Sequence, residues 1–333
     1  MDTRIVRCVA VLLIANSHLT DFYPIPQLAG DGLLGNSLFF LLSGFGLAMG
    51  DRKGLRPAGD WFSRRLLKIY PSVAIVLAFT AVYDFPALRI DRAVEIPWGL
   101  VWPIRYPFVR QITTFYLIYF VWSRTRLAAY PVALIVGLIP VYAIWRHLAP
   151  EATRTHAVHW VYYFQMLLLG VAVARTQTQR PRLPKNFAAF ALPVAFLTYV
   201  GTKFVLSRAG EAEEKVYLLH MLALPVLLLI LYALSDARLI ARIDRFPMIS
   251  RFVDWLSGAT FEVYLVHYLI LELEWVRSLP LPANLVVFGL GTFVAAYALQ
   301  LARDAFVNAA RTLGATCLKP MKSRLRRTAV ESS

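Results

Sequence analysis

Two side chains near the start of the chain, Arg7 and His18, stand eleven residues apart in an otherwise apolar run. On a continuous helix that spacing puts them on one face, about 16 Å apart along the axis at about 1.5 Å per residue. An arginine at the rim of an apolar helix suits an anionic ligand head, and a buried imidazole suits proton transfer near neutral pH. The plain structural alternative is a lipid anchor plus a packed histidine, although an ionisable residue inside a membrane segment is a functional candidate by default. Further along, the stretch from Trp61 to Pro71 carries Arg64, Arg65 and Lys68. Three such charges could hold phosphates or could simply anchor a helix on the cytoplasmic side of a membrane. Near the end, Glu262 and His267 lie inside another apolar segment. Five residues apart, they do not stack on one face; they either line a polar cavity or satisfy neighbours in a bundle. His159, His220 and Gln165 are weaker candidates of the same kind. His156 and His159 have the spacing of a helical ligand pair, but no carboxylate lies within one turn, so no metal site is expected.

The elements that must position these residues are membrane helices. The chain has 333 residues, 58% hydrophobic and 17% charged, with a mean hydropathy of +0.56, which excludes an ordinary soluble domain. A membrane helix needs roughly 20 mostly apolar residues. Ten spans fit: Thr3–Phe22, Leu33–Gly50, Ile69–Phe85, Val109–Trp122 with a kinked approach near Trp98, Leu127–Trp145, Ala157–Ala174, Phe187–Leu206, Val216–Leu234, Val253–Leu271 and Leu285–Leu301. The fold class is therefore an all-α polytopic membrane bundle of about ten transmembrane helices. Residues 1–305 form its transmembrane domain and residues 306–333 a basic tail.

The net charge of +15 and a pI near 10.0 would suit a nucleic-acid binder, but the placement of the charges excludes that class. Most basic residues fall in alternate connections, and the loop from Leu19 to Gly32 has none. With the amino terminus inside, this is the pattern expected of cytoplasmic loops, and it places both termini in the cytoplasm. Lys319, Lys322, Arg324, Arg326 and Arg327 then face anionic membrane lipids. The only cysteines, Cys8 and Cys317, offer no disulfide framework and are expected as reduced thiols. Arg4, Arg7 and the run from Cys8 to Ala15 superficially resemble a secretory signal, but no cleavage site precedes a soluble sequence. Gly44, Gly46 and Gly50 miss the spacing of a dinucleotide loop, and Gly46 and Gly50 are expected to permit close helix packing.

Four segments together resemble the acyltransferase-3 family of membrane O-acyltransferases. They are the Arg7-to-His18 spacing, the run Leu38-Phe39-Phe40-Leu41-Leu42-Ser43-Gly44-Phe45, the Arg64-Arg65 to Lys68-Ile69-Tyr70-Pro71 approach, and Thr260-Phe261-Glu262-Val263-Tyr264-Leu265-Val266-His267. Their order and spacing carry the likeness from the first span to the ninth. The resemblance implies a multi-pass protein of the plasma membrane, the inner membrane in bacteria. It implies transfer of an acyl group, commonly acetyl, from cytosolic acetyl-CoA or another acyl-CoA to a hydroxyl of a glycan or lipid-linked saccharide. It also implies His18 as the catalytic residue with Arg7 as its essential partner, and roles for Ser43, Gly44, Arg64 and Arg65 in the active site and donor binding. Lys68 stands where the family has arginine, which keeps the charge and loses the planar fork. Thr114-Phe115-Tyr116-Leu117 stands where a His-Leu-Trp-Phe-like motif is expected.

An acyl-CoA has phosphates at one end and a thioester at the end of an arm comparable in length to the Arg7–His18 separation. The phosphates could rest on Arg7, Arg64, Arg65 and Lys68 while the thioester reaches His18, which acts as general base or as acyl acceptor. Asn16, Ser43 or a backbone N–H in a broken Ser43–Gly44 region are candidate oxyanion donors. The competing classes are a multi-pass transporter, for which no inverted repeat is found, and a non-catalytic component of polysaccharide export.

Overall fold

The computed structural model describes residues 3–25, 28–30, 32–83, 106–148, 151–176, 185–206, 223–228 and 243–331, which contain helices and no strand. Helix α1 spans Arg4–Asn16, α2 Gly32–Asp51, α3 Ala58–Tyr83, α4 Pro107–Trp122, α5 Pro131–Leu148, α6 Glu151–Thr176 and α7 Lys185–Leu206. They are followed by α8 at Pro247–Gly258, α9 at Thr260–Leu271, the single turn α10 at Glu274–Arg277 and α11 at Ala283–Glu331. Among the described residues three stretches are long and apolar enough to cross a membrane: Gly32–Asp51, Ala58–Val82 and Ala283–Ala310. Shorter apolar helices run over Pro131–Val141, Pro193–Thr202 and Thr260–Leu271. Most of the expected eighth span, His220 and the approach near Trp98 lie outside the described residues.

Several boundaries differ from expectation. The first helix stops at Asn16 rather than continuing to Phe22, because its last turn tightens. There the Ser17 and His18 amides donate to the Ile14 and Ala15 carbonyls, and the Ser17 hydroxyl donates to the Ile14 carbonyl at 2.7 Å. The third helix begins at Ala58, so the basic stretch and the apolar span are one helix, with Pro71 inside it. Helix α8 ends at Gly258 and α9 begins at Thr260, so the expected ninth span is two helices. Helix α11 continues to Glu331, beyond the apolar stretch that ends at Ala310.

The chain forms two compact units. The first comprises Met1–Leu55 and Gln111–Thr260; the second comprises Arg56–Arg110 and Phe261–Ser333. In the first unit α2 is the central rod. Gly35 meets α1, where an added Cβ would come within 2.8 Å of the Ala10 carbonyl oxygen. Gly44 meets α6 and Gly170 of α6 meets α2: a Cβ on Gly44 would enter the Leu167 carbonyl, and one on Gly170 the Leu41 carbonyl. Gly35 and Gly44 are nine residues apart, half a turn out of phase at about 100° per residue, so the two glycines serve opposite faces of α2. Gly46, expected to do this work, has no neighbour within 4 Å of an added Cβ. In the second unit α11 lies along α3 and α10 touches α11.

Candidate functional site

In the first unit, the end of α1 is built around Asn16. Its amide donates to the Leu28 carbonyl at 2.8 Å, and its carbonyl accepts from the Tyr23 hydroxyl at 2.7 Å. The loop after α1 is thereby tied to the helix end that carries His18, which is half-buried. Because α1 stops two residues before His18, a continuous helical repeat does not relate that imidazole to Arg7. Arg7 is exposed, whereas Cys8, Ala10, Val11, Ile14 and Ala15 form the buried face of α1.

The expected break at Ser43–Gly44 is absent. Both residues lie in the middle of α2, where a backbone N–H is spent on the carbonyl four residues earlier, so no free backbone donor arises there. Gly44 instead admits the α6 backbone. Ser43 is half-buried and lies seven residues after Asn36, on the same face of α2. Asn36 donates to the Tyr163 hydroxyl at 3.4 Å. The Tyr163 ring lies against Phe40 at 5.0 Å and His159 at 5.6 Å. The Asn16 amide, the other expected oxyanion donor, is committed to the Leu28 carbonyl. Gln165 likewise donates to the Ile135 carbonyl at 2.9 Å.

The divergent segment from Thr114 to Leu117 has a structural role. Phe115 is buried and meets Phe40 at 5.1 Å, Phe164 at 5.2 Å and Trp160 at 6.0 Å. It is the centre of an aromatic node joining α2, α4 and α6, in the distance range where such rings add attraction beyond burial.

In the second unit the basic residues of α3 divide into two kinds. Trp61 is fully buried, and the Arg65 guanidinium lies 3.6 Å from its ring centroid while donating to the Trp61 carbonyl at 2.9 Å. Arg65 thus makes a cation–π contact with Trp61. Arg64 and Lys68 are exposed. On the same helix the buried Ser72 hydroxyl donates to Glu262 at 2.9 Å. Glu262 has no solvent exposure and forms an ion pair with Arg303, whose side chain is 18% exposed. Arg303 also donates to Asp304 at 3.0 and 2.9 Å.

Glu262 and His267 are therefore both buried in α9 but serve different neighbours. The Nδ1 of His267 lies 3.2 Å from the Val263 carbonyl oxygen, and its ring lies 4.2 Å from Tyr268 and 5.8 Å from Tyr264. Tyr264 in turn meets Phe108 at 5.2 Å. Sequence reading singled out neither Ser72 nor Arg303. The available signal was a carboxylate in an apolar helix, which requires a buried cation somewhere in the bundle.

A family model for the acyltransferase domain of the acyltransferase-3 type matches residues 4–301, from the first residue of α1 well into α11. Comparison with curated proteins and with solved structures gives no match.

Proposed function

From membership of the acyltransferase-3 family, to which this chain belongs, we propose that this membrane acyltransferase moves an acetyl group from cytosolic acetyl-CoA to a carbohydrate hydroxyl. The acceptor in this reading is a cell-surface or exported glycan, or its lipid-linked precursor. The observation that carries the proposal is the family match over nearly the whole chain, which takes in all four segments bearing the candidate residues. The accompanying topology is ten spans with both termini in the cytoplasm of a plasma membrane, supported by the basic bias of alternate connections.

An alcohol is a weak nucleophile at neutral pH, so its proton must leave as its oxygen attacks the thioester carbonyl. We assign that step to the His18 imidazole, which takes the hydroxyl proton. Collapse of the tetrahedral intermediate breaks the carbon–sulfur bond, and the imidazolium returns its proton to the departing CoA thiolate. In the covalent version the His18 imidazole attacks first and breaks the carbon–sulfur bond to release the CoA thiolate; the alcohol then attacks the acyl-imidazole, the carbon–nitrogen bond breaks, and the hydroxyl proton passes to the thiolate. The Asn16 hydrogen bonds that tie the following loop to the end of α1 support either version, since both need the segment that carries the imidazole to be held. Exposed Arg7, Arg64 and Lys68 are the assigned phosphate contacts of the donor. Arg65, stacked on Trp61, presents a fixed guanidinium. Ser43 is the remaining oxyanion candidate, because Asn16 and the Gly44 amide are committed elsewhere.

Membranes containing the protein, supplied with radiolabelled acetyl-CoA and acceptor glycan, test the reading. Transfer is expected from the wild type, with a loss of about a hundredfold or more in His18→Ala. Solute flux without transfer would instead support a transporter. Mass spectrometry of surface glycans, with and without the protein, identifies acyl group and acceptor from the same ester-linked mass increment.

A further inference from the structure

A carboxylate with no solvent exposure in an apolar helix is expensive, and its pairing with Arg303 does not by itself explain its presence. An apolar pair of similar volume would hold the helices together equally well or better. What a buried ion pair supplies that an apolar contact does not is position along the axis. Helix α11 needs such a mark. From Leu285 to Ala302 its residues are apolar or small except for Thr292, Tyr297 and Gln300, so a slide along α3 by one turn would exchange one apolar contact for another. Glu262 touches both partners at once, accepting from Ser72 on α3 and pairing with Arg303 on α11.

Ser72 also shares a face with the basic residues of α3. It stands four residues from Lys68 and seven from Arg65, about 6 Å and about 10 Å along the axis. The guanidinium of Arg303 is divided between Glu262 and Asp304, so an incoming phosphate would have to displace a carboxylate to reach it. Arg303 is accordingly placed to position and not to bind the donor.

We infer that Glu262 and Arg303 are positioning residues. Together with Ser72 they pin the axial register of α3 against α11, and through it the height at which Arg65 and Lys68 are presented. The consequence for catalysis rests on the proposed function above, whereas the register itself does not.

The test uses the full-length protein with Cys8 and Cys317 replaced by serine and spin labels at Phe79 on α3 and Tyr297 on α11, both exposed. The unsubstituted pair is expected to give one narrow distance. Arg303→Met alone leaves the buried Glu262 carboxylate without its cation and is expected to lower thermal stability sharply, whereas Glu262→Leu alone leaves Arg303 paired with Asp304 and is expected to lower it less; the double variant recovers the loss of Arg303→Met. In that double variant the distance broadens or shifts by about one helical turn, about 5 Å. In the same protein the KM for acetyl-CoA rises about tenfold while kcat at saturating donor stays within about threefold.

A stable double variant with the original narrow distance and an unchanged donor KM overturns the inference and leaves the pair as a plain stabilising contact. If the double variant does not fold, Glu262→Gln, which keeps the shape and an acceptor for Ser72, decides. A broadened distance is expected, and an unchanged one overturns the inference. A wild type that transfers nothing defeats the proposed function, while the distance measurement still judges the register.

Discussion

The two units fix their helices by opposite means. In the first, α2 is held by subtraction: glycines on its two faces and on α6 remove side chains so that backbones meet. In the second, α3 and α11 are joined through a buried carboxylate that engages a hydroxyl on one and a guanidinium on the other. Lipid tails are as apolar as leucine, so hydrophobicity alone gives helices in a membrane little reason to choose a particular neighbour or height. Close backbone approach answers the question of which face meets which. A buried charge answers the question of height. The family landmarks take part in both devices, since Gly44 belongs to the first and Glu262 to the second.

The comparison can be broken most severely at Gly44. Gly44→Leu puts a side chain into the Leu167 carbonyl, and a loss of about 3 kcal/mol is expected, seen as failure to purify as a single species in detergent. Gly46→Leu, on the same helix with open space around it, should purify normally; equal damage from both would refute the assignment of the crossing. In the second unit, Ser72→Ala removes a hydrogen bond to a buried carboxylate. A loss of about 2 kcal/mol is expected, measured as a lower Tm. An unchanged Tm would mean that Ser72 contributes nothing to the pin. The smallest effect belongs to Arg4, which reaches Asp254 at 2.5 Å and Asp244 at 3.3 Å. Asp254 is 52% exposed, so solvent screens the pair. Arg4→Ala should cost less than about 1 kcal/mol, and less again in high salt.

Much of the architecture was readable from apolar runs, because a helix in lipid must be long and apolar whatever it contacts. The span of α2 was therefore anticipated in place and those of α3 and α11 in part, and the match of the family model to residues 4–301 agrees with the resemblance read from four short segments. Which glycine touches a neighbour was not readable. Gly44, Gly46 and Gly50 are alike to a spacing rule, and only the position of α6 selects Gly44. The stop after Asn16 escaped notice for a related reason. No glycine or proline marks it; it is made by the Ser17 hydroxyl and by bonds from Asn16 to a loop a dozen residues away. The Glu262–Arg303 pair joins residues 41 positions apart. The need for a cation was legible from the carboxylate, but not which of 35 basic residues would supply it.

The side chain of Asn16 uses both ends of its carboxamide, giving hydrogen to Leu28 and taking it from Tyr23. Aspartate has the same outline but nothing to give, and leucine has neither capacity, so the chemistry of this position is narrower than its size. A single planar group acts here as a two-way clasp on the hem of the loop. Unfastening either half would loosen the loop from the helix end that stands two residues before the imidazole.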